Sequence, residues 1–203
     1  MLRSLLRQEG LRLASGTAEG VLTRLAKVPL SDTLAAVIAP LRAVLMQLNT
    51  TLAEIDQAIE TRARHDPMTQ HLMTAPGVGP VVALTFQAVL DTPARFRKGA
   101  ASASAFLGLV PSEDSSGERR VRGSITKTGP RDLRALMVQA SWTLWRGKKS
   151  AGAALRAWAH ALAARRGRYV AVVALARRLT RILYALWRDQ TDFAVRRVPA
   201  ATA

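Results

Sequence analysis

From position 34 onward the apolar residues keep a strict rhythm. Leu34, Ile38, Leu41, Leu45, Leu48, Leu52, Ile55 and Ile59 follow one another at alternating steps of four and three. Such spacing holds one apolar seam on a single side of a supercoiling helix. Ser31-Asp32 offers a cap for it, while Pro40 interrupts its start. The pattern therefore predicts either a kink at Pro40 or a helix that begins there, where a missing N–H costs least. The seam reads as a long helix packed on its own domain or as a coiled coil joining two chains. Ahead of it, Gly10, Gly16, Gly20 and Pro29 break the first segment.

After Asp66-Pro67 the pattern changes to shorter helical segments punctuated by Gly and Pro. Helices are predicted over 68–75 and 80–90, joined by a tight turn at Pro76-Gly77-Val78-Gly79, with Pro80 suited to a first helical turn. Asp91-Thr92-Pro93 breaks the chain, and a short helix of small residues spans 99–107. Residues 108–128 read as a loop with short strands around Arg120-Val121-Arg122 and Ser124-Ile125-Thr126. Thr128-Gly129-Pro130 then caps a helix to about Arg146, followed by helices over 151–164 and 168–187. The expectation is an all-α, mostly helical chain. A coiled-coil-like arm occupies 1–66, a helical domain with a helix-hairpin-helix turn and one long basic loop occupies 67–193, and a frayed tail occupies 194–203.

Charge divides the chain differently. Residues 1–118 hold 11 Lys/Arg and 11 Asp/Glu, whereas 119–203 hold 19 Lys/Arg against Asp132, Asp189 and Asp192 alone. The whole excess of +16 therefore lies after position 118. Intrahelical pairing cannot occupy so many arginines, so a polyanion is the expected partner, nucleic acid first and an anionic membrane surface second. The chain has no cysteine, which excludes disulfides and thiolate chemistry and fits a cytoplasmic setting. The longest strongly apolar stretch, 169–176, falls well short of the roughly 20 residues of a membrane span.

Two segments could carry chemistry. In the turn at 76–79, Gly77 and Gly79 bracket one apolar residue. They would let backbone approach a phosphate while the next helix aims its amides at the anion; the alternative is an ordinary tight turn. In the loop, Ser115-Ser116-Gly117 precedes Arg119, Arg120, Arg122 and Lys127, and guanidinium forks suit a phosphate. A serine attacks phosphorus only with help from a base, and Glu113, Asp114 and Glu118 are the sole local ones. A solvated turn is the plainer reading. Arg131 and Arg134 continue the basic series. Trp142, Trp145, Trp158 and Trp187 either stack on bases or pack in the core. His65, His71 and His160 are too scattered for a metal site.

From about 72 to 193 the chain resembles the C-terminal domain of the IS110/IS116/IS902 family of insertion-sequence transposases. The resemblance is carried by Met73-Thr74-Ala75-Pro76-Gly77-Val78-Gly79-Pro80, Arg95-Phe96, Phe106-Leu107-Gly108-Leu109-Val110-Pro111, Ser115-Ser116-Gly117 and Arg122-Gly123-Ser124-Ile125-Thr126-Lys127-Thr128-Gly129, with further matches at Leu133-Arg134, at 172–179 and at Leu186-Trp187. It implies DNA transposition, with Ser116 as a nucleophile forming a transient phosphoserine link to DNA. It also implies self-association through the 34–63 helix and, in some members, a guide RNA. Family members begin with an RNase H-like domain whose four acidic residues bind Mg2+. Nothing of that kind fits before Leu34, so the chain itself is expected to bind no cofactor. The alternative is a non-catalytic, sequence-tolerant nucleic-acid-binding protein.

Overall fold

A computed structural model describes residues 1–116 and 119–194, with the backbone course alone for 114–116 and 119–122. It divides into two compact units, 1–60 and 61–203, each with its own apolar cluster. The expected tail lies, from 195 on, outside the described residues.

In the first unit, α1 (Leu2–Gln8) and α2 (Val21–Leu25) are short, and their Leu6 and Leu25 are buried with Leu34 and Ile38. Those last two belong to α3 (Asp32–His65), one uninterrupted 34-residue helix with Pro40 inside it. The helix thus does not begin at Pro40. Ser31 Oγ accepts from the Leu34 amide at 3.3 Å, a side-chain cap placed as the sequence suggests. The α1–α2 segment covers only the first two seam positions, and Leu48, Leu52 and Ile55 remain about half exposed. By length and composition alone α3 is long and apolar enough to cross a membrane. The longest uninterrupted apolar run does not reveal this, because in α3 Ala, Val, Leu and Met raise the average between isolated polar positions.

The second unit is built around α9 (Arg168–Asp189), which packs against α4 (Pro67–Met73), α6 (Ala100–Phe106), α7 (Arg131–Arg146) and α8 (Ala153–Arg166). The fifth helix, α5 (Pro80–Leu90), packs on α4 and α7. Apolar residues of α9 recur at helical spacing, with Val172, Leu175, Leu179, Leu183 and Leu186 all buried. Trp187 closes this core with its ring 6.0 Å from Phe86, edge to face, while Tyr184 donates to the Pro93 carbonyl at 3.1 Å. The core reading of Trp187 holds.

Between 108 and 128 the described residues form two strands where a loop was expected. Strand β1 (Pro111–Ser116) pairs antiparallel with β2 (Arg119–Ile125), Ser116 opposite Arg119, Ser115 opposite Arg120 and Glu113 opposite Arg122. The two anticipated short strands are one, interrupted by a bulge where Gly123 and Ser124 face Ser112. β1 was not anticipated, since its polar run carries no alternation of apolar and polar positions.

Candidate nucleic-acid interface

The hairpin leaves the helical core through a foot made largely of backbone. Beyond the strands, the Thr126 amide donates to the Val110 carbonyl at 2.9 Å and the Lys127 amide to the Gly108 carbonyl at 3.2 Å. Gly108 and Gly129 both have positive φ, +63° and +73°. A Cβ on Gly108 would lie 2.5 Å from the Thr128 nitrogen, and one on Gly129 would collide with the Phe106 carbonyl oxygen. These glycines are required twice over, by conformation and by contact. Arg134 bolts the foot to α7, its Nη1 donating to the Leu107 carbonyl at 3.2 Å and the Thr128 carbonyl at 2.9 Å. Arg134, expected as a nucleic-acid contact, thus has its Nη1 on carbonyls of its own fold.

Lys127 and Arg131 flank this foot and are exposed. Lys127 has φ +56°, a left-handed conformation costing a non-glycine residue roughly 1–2 kcal/mol. At the other end of the hairpin stand Ser116 and Arg119, register partners, so their Cα positions are within about 5.5 Å. The side chains of Ser116, Arg119, Arg120 and Arg122 lie outside the described residues. Of the three arginines, only Arg119 is in register with Ser116.

The turn at 74–79 joins α4 to α5, and Asp66 supports it from below. Its carboxylate caps α4, accepting from the Thr69 amide at 3.1 Å and from the Thr69 hydroxyl, and it accepts from Gln87 of α5 at 2.9 Å. Burial pushes this carboxyl up, but hydrogen bonds from Thr69 and Gln87 outweigh it and hold the group below the ordinary aspartate value. Within the turn the two glycines differ. Gly77 has φ +86°, and a Cβ there would come 2.6 Å from the Ala140 carbonyl oxygen and 3.0 Å from Leu144 Cβ. Its close approach is to α7. At Gly79 a Cβ would meet nothing within 4 Å, so Gly79 is the one that faces open space.

That open space is a cleft of about 490 Å3, walled on the far side by the loop between α7 and α8 and lined by Gly77, Gly79, Thr143, Lys148, Lys149 and Arg156. Arg156 shapes the loop by donating to the Lys149 carbonyl at 2.8 Å. Lys148 and Lys149 are exposed, and nothing in the sequence ties them to a turn some seventy residues earlier. The other tryptophans sit on this unit's helical surface, Trp142 and Trp145 half-buried and Trp158 exposed. Acids hardly relieve the charge here, since Asp189 pairs with Arg188 at 2.7 Å and Asp192 meets His71 at 2.7 Å. Among the described residues no three His, Asp or Glu side chains are grouped as a metal site would require.

Residues 69–156, which include both the turn and the hairpin, match the model of the Transposase IS116/IS110/IS902 family. The chain is 32% identical over 165 residues to a probable family 20 transposase of Pseudomonas aeruginosa, covering 81% of this chain and 48% of that protein. It is 29% identical over 197 residues to the transposase for insertion sequence element IS1111A of Coxiella burnetii, covering 95% of this chain and 54% of that protein. With the transposase for insertion sequence element IS1328 of Yersinia enterocolitica it shares 27% identity over 196 residues, 95% of this chain and 58% of the relative. The chain spans about half the length of the curated relatives it matches.

Proposed function

The chain belongs through its residues 69–156 to the Transposase IS116/IS110/IS902 family, and on that premise we propose that it is the DNA-binding and strand-joining part of a transposase acting in DNA transposition. The observation that supports this most is the hairpin, which carries Ser116 and Arg119 as register partners at its far end while its foot is locked to the helical core.

In this reading the Ser116 hydroxyl oxygen attacks phosphorus and a deoxyribose hydroxyl leaves, so that a phosphoserine ester keeps the bond energy. A second deoxyribose hydroxyl then displaces the serine and restores a phosphodiester. Arg119, with Arg120 and Arg122 behind it, supplies charge to the phosphoryl oxygens. Lys127 and Arg131 hold the duplex at the foot, and the strained backbone of Lys127 supports a role for its side chain. Gly79 gives the duplex backbone close access to the cleft that Lys148 and Lys149 flank, with Gly77 keeping the turn seated on α7. Arg134 positions the hairpin. The half-exposed seam of α3 serves self-association. Gln47, Asn49, Thr50 and Thr51 set polar side chains at the middle of that helix, which favours a protein partner over lipid. A guide RNA is a further proposed partner.

Help for Ser116 from an acidic domain in trans belongs to the same proposal. The test is incubation of the full chain with a suicide DNA substrate, Mg2+ and the acidic domain of a relative. A covalent DNA adduct that Ser116→Ala abolishes is expected. Binding without any Ser116-dependent adduct would leave the second reading, a non-catalytic binder.

A further inference from the structure

The first unit holds a basic feature that the charge count of the whole chain conceals. Residues 1–118 balance as a group, yet the first thirty carry Arg3, Arg7, Arg12, Arg24 and Lys27 against Glu9 and Glu19 alone. Arg3 and Arg7 stand about one turn apart on one side of α1. After the helix comes Gly10, with φ +72°; its amide donates to the Arg7 carbonyl at 3.0 Å, and the Leu11 amide donates to the Leu6 carbonyl at 2.9 Å. That pair of bonds turns the chain back along the helix it has just left, and Arg3 reaches the Ala14 carbonyl at 3.5 Å. Leu11 and Leu13 pack on the cluster of Leu6, Leu25, Leu34 and Ile38. The three arginines thereby come to line one cleft of about 440 Å3, together with Gly10, Leu11 and Leu13.

The acids of this segment face other groups. Glu9 accepts from the Ser31 hydroxyl at 2.8 Å, and Glu19 accepts from its own amide and from Thr17. Among the described residues neither carboxylate pairs with an arginine of the cleft. Arg24, by contrast, is committed to the Thr17 carbonyl at 2.5 Å. Arg7 and Arg12 are exposed, and the long bond from Arg3 to Ala14 leaves most of its donors free. Guanidinium groups gathered around one space repel one another, and an anion relieves that repulsion while accepting their paired N–H groups. The volume of the cleft lies within the roughly 300–1,000 Å3 of small-ligand sites, more than a bare phosphate fills. Leu11 and Leu13 add apolar lining, so charge and carbon surface are offered together.

We propose that this cleft binds a phosphate ester, with Arg3, Arg7 and Arg12 on the phosphoryl oxygens and Leu11 and Leu13 against the attached sugar. A nucleic-acid backbone and a free nucleotide share that chemistry. The inference goes beyond the hairpin and the cleft of the second unit and is independent of both.

The test is nuclear magnetic resonance of the arginine Nε–Hε groups in the full isotope-labelled chain, titrated with inorganic phosphate and with thymidine monophosphate. Arg42, exposed on α3 and outside the cleft, is the reference. Signals of Arg7 and Arg12, identified from Arg7→Gln and Arg12→Gln, should shift and saturate while that of Arg42 stays in place. Saturation should need several-fold less of the monophosphate than of phosphate. Either substitution should weaken monophosphate binding, read at the remaining arginine, about tenfold, the loss of one charge-assisted bond. A ten-base-pair duplex, followed by fluorescence anisotropy across a salt series, separates the two sources. A slope of log K against log salt shallower by about 0.9 in each variant identifies a nucleic-acid backbone, and an unchanged slope identifies a free nucleotide. Shifts at Arg7 and Arg12 no larger than at Arg42 would overturn the inference, as would equal affinity for phosphate and monophosphate. Arg42→Gln that weakens monophosphate binding as much as Arg7→Gln would also overturn it, leaving net charge in place of a site.

Discussion

Replacing Arg134 by Met separates a residue that holds the fold from one that holds DNA. Methionine keeps much of the aliphatic stem and removes every donor. In the structure the two N–H groups of one nitrogen, Nη1, serve the Leu107 and Thr128 carbonyls, so the substitution removes both bonds at once. A hydrogen bond to a charged group is worth about 1.5–3 kcal/mol, and solvent that reaches the partly exposed Arg134 holds the loss of the pair to about 2 kcal/mol. For a protein of this size each kcal/mol moves Tm by about 2–4 °C. A fall of about 4–8 °C is the expected outcome in a thermal melt followed by circular dichroism. The second assay is duplex binding across a salt series at a temperature where the variant is fully folded. A lost phosphate contact lowers the slope of log K against log salt by about 0.9; a lost foot bolt leaves the slope where it was. An unchanged Tm together with a slope shallower by about 0.9 would refute the structural assignment of Arg134.

Other outcomes follow from the same geometry. Gly77→Ala should cost at least the roughly 1–2 kcal/mol of a left-handed alanine plus its collision with α7, whereas Gly79→Ala should leave Tm nearly unchanged; equal effects would mean that the turn is not seated on α7. Lys127→Gly should leave stability equal or raise it by about 1 kcal/mol while weakening duplex binding, and a destabilised variant would contradict the strained backbone. Asp66→Ala should cost about 1 kcal/mol through the lost cap. Because the folded Asp66 carboxyl titrates below its unfolded value, its contribution is present above about pH 4 and fades as pH falls through the folded value. The stability curve of Asp66→Asn should therefore be flatter than wild type on that acid limb. Leu48→Glu with Leu52→Glu should leave the compact units folded and shift sedimentation toward a smaller species; wild-type protein that is already monomeric would remove the self-association proposal.

The helices were legible because their cues are local. A seam spaced four and three needs no partner to be seen, and Thr128-Gly129-Pro130 announces α7 within three residues. The hairpin was only half legible. Ser112-Glu113-Asp114-Ser115-Ser116 has neither the β-branched residues nor the alternation that mark a strand, and its pairing is set by backbone crossing at a foot that joins residues about twenty positions apart. That crossing also explains Arg134, whose guanidinium looked like one more member of a basic run until its two carbonyls were in view. Gly77 and Gly79 are alike in sequence, and only the position of α7 tells them apart. The cleft beside them was out of reach, since no local signal links Lys148 and Lys149 to the turn.

The hairpin's foot has a use beyond holding. Its glycines approach backbone atoms of 106–107 and 127–128, and its bolt reaches carbonyls, so apart from Ile125, which packs on the core, the foot takes little information from side chains in 112–124. That stretch is a replaceable cassette. Strands of other length or composition, closed by any compatible tip, could be exchanged there while the helical core kept its stability. Reach and chemistry at the far end would become independent variables for engineering.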